Sequence, residues 1–179
     1  ARKIETAYIY NPTRAKADAF VEEMAGHNSI PKDIRVAKTS KEAIENADII
    51  CTATTSSQTI FEDKDVKSGT HISAVGAHTP AMQELPVETV ARSRIVVDSY
   101  ATVMDEAGDI VKAIQAGLIK ESDIHAELGE IILGKKVGRQ SAEEITFFKS
   151  VGNAVQDATA AQLALKNARA MNIGTEVEF

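Results

Sequence analysis

His78 is the side chain of this sequence that is best placed for chemistry, in the segment HISAVGAHTPAMQEL, residues 71–85. A short apolar run stops there at Gly76, and Pro80 follows the histidine. This pattern is typical of a buried strand that delivers a polar group to the carboxyl edge of a sheet. Ligands of open α/β folds bind at that edge, and histidine can donate or accept a proton near neutral pH. His78 is therefore a candidate for proton transfer, while packing in a loop or core is the alternative that this segment alone leaves open.

A second candidate site lies in AYIYNPTRAKADAF, residues 7–20. In the second unit of a dinucleotide-binding fold, the residue that closes the strand meets the adenosine ribose. Asn11 would occupy that place, and an uncharged residue followed by Thr13 and Arg14 could accept a 2′-phosphate. A helix cap followed by a solvated arginine explains the same residues equally well. The sequence contains no G-x-G-x-x-G turn, because its ten glycines are dispersed.

Two further polar segments could contact a ligand. CTATTSSQ, residues 51–58, places five hydroxyl groups and an amide where a strand meets its loop, and such small residues allow close approach to ribose or phosphate. In KSVGNAVQD, Ser150, Gly152 and Asn153 precede a long helix whose first amides and dipole favour a carbonyl group or an anion. Ordinary loop residues and simple helix capping are the competing interpretations.

The acidic residues of the second half do not predict a metal site. His125, Glu127 and Glu130 in HAELGEIILGKK are close together, but no further ligand converges on them, which favours a solvated helix face. Three more acidic residues around Gly108 are typical of helix-end charges, not of catalytic carboxylates: Asp105, Glu106 and Asp109. We assign no metal.

Composition excludes several classes of protein. The chain of 179 residues can form a single domain with an ordinary core. Its net charge of −6, its scattered basic residues and its 4% aromatic content argue against nucleic acid as a partner. No window approaches the roughly 20 apolar residues of a membrane span. The lone cysteine, Cys51 in DIICTAT, is expected to be a buried, inert thiol in a reduced compartment, and we place the protein in the cytoplasm.

Short β-branched runs alternate with amphipathic segments, which is typical of βαβ units around a parallel sheet. The predicted strands are residues 6–10, 34–37, 48–52, 70–75 and 94–97. The predicted helices are residues 13–24, a short helix after Thr39, 109–116, 125–133 and 153–171. Asn11 or Thr13 could cap the first helix, and Thr39 and Glu42 stand at capping-box spacing. TEVEF, residues 175–179, is predicted as a final edge strand.

Four motifs in order, GAHTPAMQEL, DEAGD, HAELGEIILGKKVGR and EITFFKSVGNAVQD, resemble the ornithine cyclodeaminase and mu-crystallin family. The resemblance extends over residues 8–179, and the family also contains archaeal alanine dehydrogenases and ketimine reductases. It implies a Rossmann-like α/β fold with a mostly parallel sheet, helices on both faces, and the strand order 3-2-1-4-5-6. It also implies that the first strand and its glycine-rich turn are missing from this chain. The sheet would then have a central gap.

The resemblance implies NAD or NADP as the cofactor and assigns residues to it. The implied cofactor-binding positions are Asn11, Thr13, Arg14, Thr52, Ile72, Ser73, Ala74, Val75 and Ser150. His78 falls where the cyclodeaminases and the archaeal alanine dehydrogenase carry a catalytic aspartate that relays protons. Met82 falls where the cyclodeaminases carry a lysine that contacts NAD. Both departures argue against cyclodeaminase activity, although not against the fold.

We therefore expect a fragment of a longer enzyme. Residues 1–152 would form a partial NAD(P)-binding domain, and residues 153–179 would return toward an absent N-terminal domain for substrate binding and dimerisation. The leading interpretation is an NAD(P)-dependent oxidoreductase that acts on the C–N bond of an amino acid or imino acid, as a homodimer, with His78 moving the accompanying proton. The alternatives are an ornithine cyclodeaminase and a non-catalytic NADPH-binding protein of the mu-crystallin kind.

Overall fold

Short parallel strands alternate with helices in this computed structural model, which describes residues 3–175 and 177. The strands are β1 (Thr6–Ile9), β2 (Asp33–Val36), β3 (Ile49–Thr52), β4 (His71–Ala74), β5 (Arg94–Val97), β6 (Ile124–Glu127) and β7 (Thr146–Lys149). The helices are α1 (Arg14–Met24), α2 (Ser40–Ile44), α3 (Val87–Ala91), α4 (Tyr100–Glu106), α5 (Gly108–Gln115), α6 (Leu128–Ile132) and α7 (Ala154–Met171). The predicted α/β fold, with helices on both faces of a parallel sheet, is confirmed. The five predicted strands are also confirmed, to within a residue at either end.

The strands form two parallel sheets, β1-β2 and β3-β4-β7-β5-β6. The order departs from the predicted one because β7, the last strand along the chain, is inserted between β4 and β5. Phe147 of β7 lies opposite both Ile72 of β4 and Ile95 of β5. All three side chains are almost completely buried in the main core, which is the environment that an apolar central strand of a parallel sheet requires.

The two sheets are separated by a gap. Among the described residues, β1 pairs with β2 alone and β3 pairs with β4 alone. A cleft of about 1030 Å³ lies here, lined by β1, α1, α2, β3 and the loop that follows β3. The interruption occurs at the position where the resemblance predicted a missing first strand.

Two predicted helix caps have different outcomes. Thr13 is the N-cap of α1, but its side chain makes no capping hydrogen bond, and Asn11 Oδ1 instead accepts from the Thr13 N–H at 2.8 Å. Only one half of the predicted capping box of α2 is confirmed, because Glu42 accepts from the N–H of Lys38 in place of that of Thr39, the N-cap residue. Thr39 Oγ1 accepts from the Glu42 N–H at 3.1 Å, and Glu42 Oε2 accepts from the Lys38 N–H at 2.7 Å.

The prediction of a helix over residues 125–133 is wrong in its first part. Residues 124–127 form β6, in which buried Ile124 and Ala126 alternate with half-buried His125 and Glu127. This alternation with a period of two places the apolar pair against the core, and it outweighs the helical spacing of the glutamates. The helix α6 begins only at Leu128.

The prediction that Cys51 is buried is also wrong, because its side chain is exposed. Along β3, Ile50 and Thr52 are buried while Ile49 and Cys51 are exposed. Ile49 and Cys51 both line the cleft between the two sheets. Within the described residues, no helix covers this face of β3, so the apolar run DIICTAT has only one buried face.

The long helix α7 occupies the predicted position but has no buried residue, so its apolar face is exposed. The predicted final edge strand, residues 175–179, lies largely outside the described residues. No helix within the described ranges is both long and apolar enough to span a membrane.

Candidate active site at the carboxyl edge of the sheet

The loop after β4 holds His78 at the carboxyl edge of the sheet, with its side chain exposed. In the described part of the chain, no hydrogen bond or ion pair engages its imidazole. The preceding residue, Ala77, is fully buried and has a left-handed φ of 47°. Its carbonyl oxygen accepts from the Gly108 N–H at 3.0 Å. The backbone beside His78 is therefore tightly held, whereas the imidazole is available to a ligand.

A fully buried carboxylate, Glu84, links this loop to the end of β3. Its Oε2 accepts from the Thr52 hydroxyl at 2.8 Å, and its Oε1 accepts from the Thr54 N–H at 2.5 Å. Gly76 packs so closely here that a Cβ atom would overlap both the Glu84 carboxyl group and the Thr54 carbonyl oxygen. Only glycine fits at this position.

A buried ion pair, Lys149 with Asp109, lies next to the same loop, and both side chains are 0% exposed. Lys149 ends β7, and its Nζ donates to the Gly76 carbonyl oxygen and lies 3.4 Å from Asp109 Oδ2. Asp109 Oδ1 accepts from the N–H groups of Glu84 and Leu85 at 2.7 and 2.9 Å. Burial raises the pKa of the Asp109 carboxyl, and the Lys149 charge and the two backbone donors offset this only in part.

A third carboxylate, Asp98, shapes the turn between β7 and α7. Its Oδ2 accepts from the Ser150 hydroxyl at 2.7 Å and from the N–H groups of Val151 and Gly152, both at 3.1 Å. Asn153 caps α7 by accepting from the N–H of Val155. Several donors of this segment therefore already have partners within the chain: the Ser150 hydroxyl and the Gly152 N–H donate to Asp98, and the Val155 N–H donates to Asn153.

The predicted cofactor residues of the first segment lie on the other side of the cleft. Asn11, Thr13 and Arg14 are all exposed, and Arg14 Nε donates to Asp18 at 2.8 Å. Asn11 and Thr52 line the same cleft, whereas Thr13 and Arg14 lie outside its lining. The structure thus brings Asn11 and Thr52 to one cavity.

The predicted positions on β4 differ in what they can offer to a ligand. Ile72 and Ala74 are 0% exposed, so that their side chains belong to the core. Ser73 is half-buried, and Val75 is 52% exposed at the carboxyl edge. Val75 and His78 from β4, Thr52 from β3 and Ser150 from β7 therefore follow or end neighbouring strands at one edge. Met82 is half-buried in the segment that follows.

Four buried or half-buried charged residues of this edge were missed as site residues from the sequence: Glu84, Asp98, Asp109 and Lys149. Two of them carry the signal that identified His78. Asp98 directly follows the apolar run of β5, and Lys149 ends that of β7. A polar residue at the end of an apolar strand thus marked three positions, not one. Asp109 and Glu84 carry no such signal, because their neighbours along the chain do not reveal the Lys149 ammonium or the Thr52 hydroxyl.

The acidic residues near His125 have structural partners. Glu127 Oε1 accepts from the Tyr100 N–H at 2.8 Å, and Glu130 Oε2 accepts from the Glu127 N–H at 3.0 Å, which forms a capping box for α6. His125 Nε2 lies 2.7 Å from the Val137 carbonyl oxygen. Across the described ranges, no group of three or more His, Cys, Asp or Glu side chains could hold a metal ion.

The sequence profile of the ornithine cyclodeaminase/mu-crystallin family matches residues 1–172. The chain belongs to this family. It is 44% identical, over 99% of its length, to a Δ1-pyrroline-2-carboxylate reductase of Bacillus cereus, of which it covers 54%. The chain therefore spans about half the length of the curated relatives it matches.

Solved structures of family members resemble the fold closely. A Δ1-pyrroline-2-carboxylate reductase of Thermococcus litoralis, solved with NADH and L-proline, is 41% identical with a TM-score of 0.92, over 98% of this chain and 54% of that one. An archaeal alanine dehydrogenase dimer with bound NAD is 35% identical with a TM-score of 0.87, over 99% of this chain and 54% of that one. The chain thus shares its fold with roughly half of each of these two relatives.

Proposed function

We propose that the full protein is an NAD(P)-dependent oxidoreductase that acts on the C–N bond of an amino acid or a cyclic imine. The observation that carries this proposal is the high identity, over nearly the whole chain, to Δ1-pyrroline-2-carboxylate reductases. The parallel sheet supports it, because its carboxyl edge gathers exposed groups beside a large cleft. The substrate would be a small amino or imino acid.

The residues of the cleft fit a dinucleotide. Its carboxyl end, which would remain open beside a strand in the gap, carries Asn11, Thr52 and the hydroxyl-rich residues 54–56, and exposed Val75 lies at the carboxyl end of β4. Asn11, Thr13 and Arg14 would hold the adenosine end, and the backbone of residues 72–75 with Ser150 would approach the nicotinamide ribose. NAD or NADP bound there would exchange a hydride with the substrate carbon. Thr52 would contact the cofactor through its lone pairs or backbone, since its hydroxyl proton is donated to Glu84.

His78 would donate or accept the proton that accompanies reduction or oxidation of the C–N bond. Its exposed imidazole lacks a partner within the described residues and follows the strand that we assign to the nicotinamide side. The His78→Ala variant should lower kcat much more than it lowers nucleotide affinity. Unchanged turnover would exclude this role.

We infer that a strand from outside these 179 residues fills the gap between β1 and β3. Both facing edges present unpaired backbone groups, which a native sheet seldom leaves open at its centre. A glycine-rich turn after that strand would then meet the cofactor's pyrophosphate. A structure of the full-length protein tests this inference, and direct pairing of β1 with β3 there would contradict it.

We assign residues 1–152 to the nucleotide-binding domain and residues 153–179 to a connection toward a substrate and dimerisation domain. The exposed apolar side chains of α7, among them Val155, Leu163 and Leu165, support this boundary because they lack a partner element in the described part of the chain. Homodimer formation would use the same absent domain. Sedimentation tests this assignment by comparing the full-length protein with a shorter protein in which the missing strand is joined to residues 1–152. Dimer formation by the shorter protein would contradict it.

Turnover of the full-length protein provides the direct test of function. We expect NADH or NADPH to be oxidised in the presence of Δ1-pyrroline-2-carboxylate, or of pyruvate with ammonia. Release of ammonia from ornithine without accumulation of reduced nucleotide would replace this proposal with the cyclodeaminase. Tight NADPH binding without turnover of any amino or imino acid would replace it with the non-catalytic alternative.

A further inference from the structure

Three buried charged side chains surround the loop that carries His78. Lys149, Asp109 and Glu84 are all 0% exposed, and together they contain one cation and two carboxyl groups. Ionised groups are costly to bury, and a well-packed apolar set of similar volume is often as stable or more stable. The stability of the sheet alone therefore does not explain their presence.

These charged groups form hydrogen bonds with the backbone on either side of His78. The Lys149 ammonium donates to the Gly76 carbonyl oxygen, two residues before the histidine. Asp109 accepts hydrogen bonds from the N–H groups of Glu84 and Leu85, which end the segment that follows His78. The two anchors are linked, because Lys149 Nζ and Asp109 Oδ2 lie 3.4 Å apart.

The loop between these anchors has little freedom to adopt another conformation. Ala77 keeps a left-handed φ of 47°, which costs an alanine energy unless its surroundings impose it. Gly108 donates to the Ala77 carbonyl oxygen, and a Cβ atom at Gly108 would overlap the carbonyl oxygens of Met82 and Thr79. Contacts on both sides of His78 thus set the direction of its Cα–Cβ bond.

We propose that Lys149 is a positioning residue for His78: its buried ammonium, paired with Asp109, fixes the Gly76 carbonyl and thereby the place of the imidazole at the carboxyl edge. This inference rests on the proposed function, in which His78 moves a proton. Lys149 does not touch the substrate in this scheme, since its side chain has no exposed surface. Burial raises the pKa of Asp109, which agrees with a carboxyl group held in a dry environment.

The chain offers a matched control for this role. Lys67 Nζ also donates to a backbone carbonyl oxygen, that of Asn46, and to an aspartate, Asp48, both at 2.8 Å. This second pair lies before β3 and β4, at the amino edge of the sheet, and its side chains are 39% and 92% exposed. The two lysines therefore make similar contacts at opposite edges of the same sheet.

The test uses the full-length enzyme with Lys149→Met/Asp109→Asn, which removes both charges and leaves an amide oxygen to accept from Glu84 and Leu85. The control is Lys67→Met/Asp48→Asn. We expect faster amide hydrogen exchange over residues 76–82 in the first variant alone. We also expect its kcat to fall by about a hundredfold, while KM and the NADH dissociation constant stay within about twofold. The control should match the unaltered enzyme in all four measurements.

Adding His78→Ala to the first variant separates positioning from general damage. If Lys149 acts through His78, the paired substitution should lower the residual kcat of His78→Ala by less than about twofold. An equal loss of kcat with or without His78, unchanged exchange over residues 76–82, or an unchanged kcat would each overturn the positioning role. Absence of turnover in the unaltered enzyme would overturn the proposed function, and this inference with it. Turnover at the unaltered rate after the paired substitution would overturn the inference alone.

Discussion

The two edges of the five-stranded sheet use the same ionic groups in different ways. At the carboxyl edge, Lys149 and Asp109 form a fully buried pair that holds the backbone beside His78. At the amino edge, Lys67 and Asp48 form a pair with a similar set of acceptors, but water reaches both side chains. An exposed pair contributes about 0–1 kcal/mol, whereas breaking a buried pair costs roughly 3–5 kcal/mol. Burial, and not the types of the paired groups, therefore determines how much each ion pair contributes to stability.

Other contacts of the amino edge follow the same rule. Arg94, the first residue of β5, pairs with Glu144 at 2.6 Å in a partly exposed position and lowers the pKa of its carboxyl. Arg139 is exposed and donates to the carbonyl oxygens of Gly69 and Glu144 at 2.8 and 2.6 Å. These bonds close loops at the base of the sheet, and none of them holds a fully buried charge.

The largest effect is expected for Lys149→Met alone. This change leaves the Asp109 carboxylate buried without its cation and leaves the Gly76 carbonyl oxygen without its donor. We expect the free energy of unfolding of the full-length protein to fall by roughly 3–5 kcal/mol. Urea unfolding measures this loss. Adding Asp109→Asn should restore part of the stability. A loss of less than about 1 kcal/mol for Lys149→Met, as expected for an exposed pair, would contradict a buried ion pair at this position.

The next effect is expected for Gly76→Ala, which tests the packing of the same edge without changing a charge. The new Cβ atom would overlap the Glu84 carboxyl group and the Thr54 carbonyl oxygen, so we expect a loss of about 1–3 kcal/mol. Gly129→Ala is the control, because nothing lies within 4 Å of a Cβ atom there and the residue is inside α6. Alanine should stabilise that helix by roughly 0.5–1 kcal/mol. Equal effects at the two glycines would show that the loop is not tightly packed.

The elements were predictable from the sequence where local patterns determine them. Apolar runs placed β3, β4 and β5 to within a residue, because a strand buried in a parallel sheet needs such a run. The place of β7 between β4 and β5 was not predictable, since no local pattern records which strands pair. The period-two burial of β6 was present in IHAE, but it competed with the helical spacing of Glu127 and Glu130.

The site was predictable only in part, for a related reason. His78 was identified because an apolar strand ends shortly before it, whereas the groups that hold its loop come from distant segments. Lys149 meets a carbonyl oxygen 73 residues away, and Asp109 meets the N–H of Glu84 25 residues away. The exposure of Cys51 was missed because burial of one strand face depends on an element that covers it. Contacts of this kind follow from the packing of the whole sheet, not from the neighbouring sequence.

A third and smaller effect on the free energy of unfolding is expected from a change in pH. Burial raises the pKa of Asp109 in the folded protein above its value in the unfolded chain. Between these two values the folded protein binds more protons, so its stability falls as pH rises through this window, by at most about 1.4 kcal/mol per pH unit. The Asp109→Asn variant has no carboxyl group at this position and therefore does not bind this proton. The difference in unfolding free energy between the two proteins should therefore change within the window and be constant above it, and parallel pH curves would contradict the prediction.

The smallest effect is expected for Lys67→Met, at the amino edge. Its partner Asp48 is 92% exposed, so water solvates the carboxylate once the ammonium is gone, and the Asn46 carbonyl oxygen can accept a hydrogen bond from water. The unfolding free energy should fall by about 0–1 kcal/mol, and this small loss should shrink further as salt is added, because exposed charges are screened. Measurements of urea unfolding at low and high salt decide the point. A loss as large as that of Lys149→Met would mean that the shared chemistry of the two pairs, and not their burial, determines what each contributes.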